Sequence, residues 1–278
     1  MQYFTYADMA TAIRRNLWKV PSDIDLIVGV PRSGMIAALM LAETMNKRVA
    51  DLDTFIAGQH MSCGGRGRNI RPGMPGKVLI LDDTVNQGIQ MAKVRERLEP
   101  LKESYNFLYG CIYAEGRDAK AQVDLFFVDN YRDGEDRWTL YEWNILHHYK
   151  SRSQAMIWDI DGLLCKEPPD ERDVAAYEAY LPKALPMIIP TTKIGMVCTY
   201  RLDKYRKQTE DWLRRQGIDY EQLVMAPNRH KDPAAFKAAA YRSDRWQLFM
   251  ESNDKQAARI HDLTGKPVYC YDTNRMYI

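Results

Sequence analysis

Two short acidic motifs carry the residues best placed to do chemistry. Asp82 and Asp83 close an apolar run and lead through Thr84, Val85, Asn86 and Gln87 to Gly88. Asp159 and Asp161 close a second apolar run and lead into Gly162. In the first motif, the carboxylates can accept hydrogen bonds from sugar hydroxyls. The turn-forming stretch after them opens a helix, where backbone N–H groups and the helix dipole favour an anion. A ribose phosphate needs both functions side by side. Ligands of open α/β sheets bind where strands end, which is where both motifs fall.

A related arrangement lies upstream. The apolar run 26–30 leads into Pro31-Arg32-Ser33-Gly34 and then an Ala-, Leu- and Met-rich stretch, about 50 residues before the acidic motif. Together these segments resemble type I phosphoribosyltransferases. The resemblance implies that Asp82 and Asp83 bind the ribose hydroxyls of phosphoribosyl diphosphate (PRPP). It gives Thr84, Val85, Asn86, Gln87 and Gly88 to the 5-phosphate, and Arg32, Ser33 and Gly34 to the leaving diphosphate. Gln87 departs from the pattern, since the family usually has a small hydroxyl residue there. The glycine-rich stretch 57–77, with Arg66, Arg68 and Arg71, resembles the family's mobile loop, which closes over the diphosphate and excludes water.

The second motif, Asp159-Ile160-Asp161-Gly162, resembles motif I of haloacid dehalogenase (HAD) superfamily phosphatases. The resemblance makes Asp159 the nucleophile that takes the phosphoryl group and Asp161 the acid and base for leaving group and water. Thr199, at the end of the apolar run 194–198, matches motif II and would hold the transferred phosphoryl group. Glu251, with Asp254 behind it, matches the acidic motif that completes a Mg²⁺ shell with Asp159 and Asp161, Mg²⁺ being a cation that requires hard oxygen ligands. A lysine near a helix start should neutralise the phosphoaspartate. Lys237 fits that place better than Lys231. Asp161 and Thr199 are 38 positions apart, as are Thr199 and Lys237. Neither gap easily holds a cap domain, so an open site suited to a bulky phosphate ester is expected.

These motifs require strands to end at them and helices to follow. Nearly continuous apolar runs at 26–30, 78–81, 107–113 and 125–128 read as parallel strands buried on both faces, with helices at 35–46 and 90–98. The second half repeats the style, with strands at 155–160, 194–198, 222–225, 246–250 and 268–271 and helices at 204–216 and 255–264. Gly217 and Gly265 stand just past the last two helices, where a left-handed residue ends a helix. The expected class is α/β, with two domains, each a mostly parallel sheet flanked by helices: a type I phosphoribosyltransferase fold over 1–152 and a HAD-like Rossmannoid fold without a large cap over 153–278. His147 and His148 near the junction read as structural.

Composition narrows the partners. The 278 residues are 46% hydrophobic with a net charge of +2, which supports a packed core and argues against general affinity for nucleic acid or anionic membrane. No apolar run approaches the roughly 18 residues of a membrane span, and Met1-Gln2-Tyr3-Phe4 opens no secretion signal. Five widely spaced cysteines without a CxxC pair read as free thiols of a cytoplasmic protein. The two motifs in one chain resemble the dual-domain ribofuranosyltransferases of bacterial surface-polysaccharide (O-antigen or capsule) assembly. That implies PRPP as donor, Mg²⁺ as cofactor and a glycan acceptor, in all expectation lipid-linked. The alternatives are a nucleobase-salvage phosphoribosyltransferase with an attached nucleotide phosphatase, and a PRPP-binding regulator. The intact second motif and the lack of a DNA-binding pattern count against the regulator.

Overall fold

The structure is a computed structural model that describes residues 1–59, 76–133, 138–148, 150–170, 172–228 and 232–278. Arg66, Arg68, Arg71 and Lys231 lie outside the described residues. By proximity the chain divides into two units, Phe4–Trp138 and Thr139–Ile278, the latter joined by Met1–Tyr3.

The first unit begins at a capping box. The Thr5 hydroxyl accepts the Asp8 amide and the Asp8 carboxylate accepts the Thr5 amide, so two otherwise orphaned donors are satisfied where α1 (Tyr6–Asn16) starts. Strand β1 (Gln2–Phe4) precedes it. Then follow β2 (Leu26–Gly29), α2 (Gly34–Met45), β3 (Arg48–Asp51), α3 (Leu52–Ile56), β4 (Lys77–Val85), α4 (Ile89–Leu98), β5 (Asn106–Ala114) and β6 (Leu125–Asp129). The five-stranded sheet has the order β3-β2-β4-β5-β6, and every pairing is parallel. All four residues of β2 are buried, as a strand covered on both faces must be. Leu26, Val28, Ile80, Cys111 and Val94 meet in one core. Asn46, in the left-handed region (φ 51°), ends α2 and turns the chain directly into β3.

The second unit holds β7 (Thr139–Tyr141), paired with β1, then α5 (Lys150–Ser153), β8 (Met156–Trp158), α6 (Val174–Tyr180), β9 (Ile194–Leu202), α7 (Arg206–Arg215), β10 (Tyr220–Ala226), α8 (Pro233–Tyr241), β11 (Leu248–Glu251), α9 (Asp254–Thr264), β12 (Val268–Cys270) and β13 (Arg275–Tyr277). The six-stranded sheet runs β10-β9-β8-β11-β12-β13. It is parallel except at its edge, where β13 pairs antiparallel with β12. Ile157, Cys198, Phe249 and Ile260 share its core. Gly265 ends α9 at φ 66°, and Gly217, just past α7, has φ 71°. Both sit in the left-handed region that favours glycine.

The sequence reading placed the domain boundary after residue 152, whereas the units divide after Trp138. The intervening segment is tied to the second unit by hydrogen bonds. Arg152 donates to the Thr139 carbonyl at 2.7 Å, and Thr192 donates to the His148 carbonyl at 3.1 Å. Among the described residues no helix is long and apolar enough to cross a membrane.

Candidate functional site

The first site forms where the path of the five-stranded sheet reverses. β2 and β4 are neighbours, yet the chain runs from β2 out to β3 before returning to β4. Loops that leave neighbouring strands in opposite directions open a crevice at the strands' carboxyl ends. The two loops here are 30–33 and 86–88.

The first loop is pinned to the second strand. The Val30 amide donates to the Leu81 carbonyl at 2.9 Å, and the Ser33 hydroxyl donates to Asp83 Oδ1 at 2.8 Å. A Cβ on Gly34 would come within 2.8 Å of Asp82 Oδ1 and 2.9 Å of the Leu81 carbonyl oxygen, so only glycine lets α2 start this close to β4. The Pro31–Arg32 peptide is cis, and the Arg32 side chain is exposed.

Asp82 and Asp83 are both buried. Burial first, and the Asp83 charge second, hold the Asp82 carboxyl well above the usual carboxylate range. Two adjacent buried carboxyls are a poor resting arrangement and a good one for receiving hydroxyls. Thr84 and Val85 continue β4, in register with Tyr113 and Ala114. The loop proper is therefore Asn86-Gln87-Gly88, shorter than the sequence pattern implied. Gly88 has φ 74° and caps α4 without a side-chain bond, which leaves the first amides of that helix to a ligand. A cavity of about 410 Å³ is lined by Asp82 and by Thr84 through Met91. Ser33 and Gly34 thus adjoin the two aspartates, and Asp82 and the 86–88 loop line the cavity.

The second site occupies the equivalent reversal of the six-stranded sheet, between β8 and β11. Asp159 follows β8 directly, and its amide donates to the Met250 carbonyl at 3.0 Å. Glu251 ends β11 and is fully buried. Lys237 reaches both from α8, with Nζ 2.7 Å from Asp159 Oδ2 and 2.6 Å from Glu251 Oε2. The helix is set for this by Asp232, whose side chain caps Ala235, and by Pro233 in the first turn. Burial alone would lower the pKa of the Lys237 ammonium, but Asp159 and Glu251 more than offset it and hold the group above its ordinary value. Thr199 is buried on β9, its hydroxyl oxygen accepting the Arg201 amide at 3.2 Å.

Two expected partners sit differently. Asp161 is paired with an arginine of β9. Its carboxylate is gripped by Arg201, with Nε 2.9 Å from Oδ2 and Nη2 2.6 Å from Oδ1. Asp254 turns away to accept hydrogen bonds from Thr273 (2.9 Å) and Tyr277 (2.6 Å). The reason is its place in the first turn of α9, beside β13, instead of at the end of β11.

Carboxylate oxygens are of the right chemical type for Mg²⁺. Yet no three His, Cys, Asp or Glu side chains among the described residues are grouped to hold a metal. Lys237 occupies one oxygen of Asp159 and one of Glu251. The other oxygen of Asp159 accepts the Ile160 amide, and that of Glu251 accepts the amides of Ser252 and Asn253. The side chains as arranged do not form a Mg²⁺ cage.

No protein-family model matches the chain, and no curated protein matches it. Among solved structures it is similar to the xanthine-guanine-hypoxanthine phosphoribosyltransferase of Helicobacter pylori, with 15% identity, 52% of this chain and 92% of that one covered, and a TM-score of 0.36. It is also similar to a purine phosphoribosyltransferase of Pyrococcus horikoshii, with 21% identity over 51% of this chain and 92% of that one, TM-score 0.36. A chain of the Pnkp1/Rnl/Hen1 RNA repair complex covers more, 89% of this chain and 96% of its own, at 14% identity and TM-score 0.34. At these values the likeness assigns no activity.

Two residues near the second site escaped the sequence reading. Arg201 lies two positions beyond Thr199, and its role depends on β9 running on to Leu202. Glu167 approaches Ser252 at 3.5 Å from the loop after Asp161. A lone arginine near a strand end and a glutamate in a Pro-flanked loop carry no spacing signal, so only the fold brings them in.

Proposed function

We propose that this protein is a bifunctional ribofuranosyltransferase that uses PRPP as donor and a glycan, expected to be lipid-linked, as acceptor. In the first step the acceptor hydroxyl displaces diphosphate from the ribose anomeric carbon. Asp82 and Asp83 receive the ribose hydroxyls. The 86–88 loop and the opening amides of α4 hold the 5-phosphate, and Arg32, Ser33 and Gly34 flank the departing diphosphate, with Arg66 and Arg68 as further candidates. Fixed donors aimed at developing charge are the largest usual contribution to such a step. One in-line displacement inverts an α-diphosphate to a β-riboside.

In the second step Asp159 attacks the 5-phosphate, Thr199 holds the transferred phosphoryl group, and Lys237 neutralises the charge on the phosphoaspartate. Water then releases inorganic phosphate and leaves a plain β-ribofuranosyl residue. The observation that carries the phosphatase half is one buried lysine, Lys237, reaching both Asp159 and Glu251. The glycan reading is supported by the openness of that site. Between Asp161 and Thr199 the only α-helix among the described residues is the seven-residue α6, too little to form a cap over a bulky ester.

The test is to incubate the protein with PRPP, Mg²⁺ and either a lipopolysaccharide-type glycan or free nucleobases, and to follow product mass. A ribosyl adduct on the glycan is expected. Adducts on bases alone would overturn the glycan reading. Asp159→Asn should accumulate the phosphoribosylated glycan, and release of the dephosphorylated product by that variant would overturn the two-step assignment.

A further inference from the structure

The 86–88 loop of the first site takes its shape from a segment outside it. Asn86 and Gln87 are exposed, and Gly88 caps α4 at φ 74° without a side-chain bond. Glycine has more conformational freedom to lose than any other residue. A loop of this make-up meets an anion ready-made only if its surroundings fix it.

The connection from β5 to β6 does so at three points. As it leaves β5, the Glu115 amide donates to the Val85 carbonyl at 2.8 Å. Next, a Cβ on Gly116 would lie 2.1 Å from the Asn86 carbonyl oxygen, so only glycine lets the two backbones come this close. A 3₁₀ turn over Ala119–Gln122 follows, and the Ala119 amide donates to the Gly116 carbonyl at 3.1 Å. Ala119 and Val123 share a core with Met91 and Val94 of α4. The turn ends at Gln122, whose side chain lies against Gly88. A Cβ on Gly88 would come within 2.3 Å of Gln122 Cγ and 2.8 Å of its Cδ. Gly88 is buried although Asn86, Gln87 and Ile89 around it are exposed. Arg95 of α4 ties the turn back, its Nη2 donating to the Gln122 carbonyl at 3.2 Å while its guanidinium lies 3.6 Å from the centre of the Tyr109 ring. Neither Gly116 nor Gln122 lines the cavity that the loop borders.

We propose that Gly116 and Gln122 are positioning residues of the first site, which clamp the 86–88 loop from behind so that it meets the 5-phosphate already ordered. The role in donor binding rests on the PRPP reading; the clamp itself does not. Gly116 admits the Asn86 backbone, and the stem of Gln122 covers Gly88. A loop ordered in advance spares binding the entropy of ordering it. Supporting groups of this kind decide whether a site is held closely enough to its ligand to work. Because the contact on Gly88 is made by Cγ and Cδ of Gln122, the length of the side chain matters and the carboxamide does not.

The experiment takes two measurements on the full-length protein. The first is hydrogen exchange without ligand, read on peptides that carry the Glu115 amide, bonded to the Val85 carbonyl, and the Ala92 amide, bonded to the Gly88 carbonyl at 2.9 Å. Such amides report local opening. The second is calorimetric titration with PRPP and Mg²⁺. In Gln122→Ala both amides should exchange faster while the rest of the first unit keeps its protection, and the Kd for PRPP should rise by about 10-fold. Gln122→Met, which keeps the length of the stem, should match the wild type in both measurements. Unchanged exchange in Gln122→Ala overturns the proposal, as does faster exchange throughout the first unit. Faster local exchange with an unchanged Kd overturns the role in donor binding. A Gln122→Met variant as impaired as Gln122→Ala overturns the packing argument and gives the role to the carboxamide. A wild-type protein that does not bind PRPP overturns the PRPP reading, and the exchange measurement then still decides whether the clamp exists.

Discussion

At the residue scale, two positions decide whether the sites can exist at all. Lys237 is 2% exposed and answers two buried carboxylates. Replacing it with Met keeps most of the volume and removes the charge, leaving Asp159 and Glu251 facing each other. Removing one partner of such a buried group costs about 3–5 kcal/mol. Denaturant unfolding of Lys237→Met should show a loss of that order, together with loss of phosphate release. A variant as stable as the wild type would mean that one carboxyl is already neutral. Gly34 is the corresponding position in the first site. In Gly34→Ala the new methyl meets the Leu81 carbonyl oxygen, which is fixed in the sheet and cannot give way. Overpacking of this kind costs about 1–3 kcal/mol. Because Ser33 and Arg32 move with the loop, PRPP affinity measured by calorimetry should fall as well. Unchanged affinity would separate the loop's position from donor binding.

At the scale of elements, the segment that joins β7 to β8 carries a pH response. His148 is buried, and burial first, with Arg152 second, depresses its pKa to about 4. Its folded value lies below the unfolded one of 6.5, so the folded state resists protonation. Its contribution is complete above pH 6.5 and is lost as pH falls towards 4. The full effect is roughly 3 kcal/mol. Replacing His148 with Gln should flatten the stability profile between those pH values, as followed by denaturant unfolding at a series of pH values. An identical slope in the variant would assign the acid response elsewhere.

The same scale shows what the sequence made legible. The long apolar runs ending at Asp82 and Thr199 announced their strands, because parallel strands covered on both faces need no alternation. Their ends announced the sites. The short elements were not legible. Arg48–Asp51 is only four residues with buried and half-buried positions alternating, and Arg275–Tyr277 is a three-residue edge. Both depend on a neighbouring strand to exist, and pairing across distance leaves no local pattern. The preference for Lys237 over Lys231 followed from helix placement, and the structure brings Lys237 to Asp159 while Lys231 lies outside the described residues. Asp254 stands in the first turn of α9 and bonds Thr273 and Tyr277, a placement that its sequence adjacency to Glu251 hides. Arg201's grip on Asp161 spans 40 positions, which no short motif encodes.

At the scale of the whole molecule, each unit has its own parallel sheet, its own core and its own reversal point, so a change at one site need not disturb the other. Asp83→Asn keeps the shape that Ser33 recognises but alters the pair proposed to bind ribose. It should abolish phosphoribosyl transfer and leave hydrolysis of ribose 5-phosphate intact. Asp159→Asn should do the reverse. An equimolar mixture of the two variants then asks whether the intermediate leaves the protein that made it. The loop after Asp161 carries no cap among the described residues, so a phosphoribosylated glycan released by one molecule can enter the second site of another. The mixture should regenerate the dephosphorylated product after a lag that shortens as protein concentration rises. If each variant keeps its single activity but the mixture yields only the phosphorylated intermediate, the second site accepts its substrate from its own first site alone, and the open-site argument for a bulky acceptor fails.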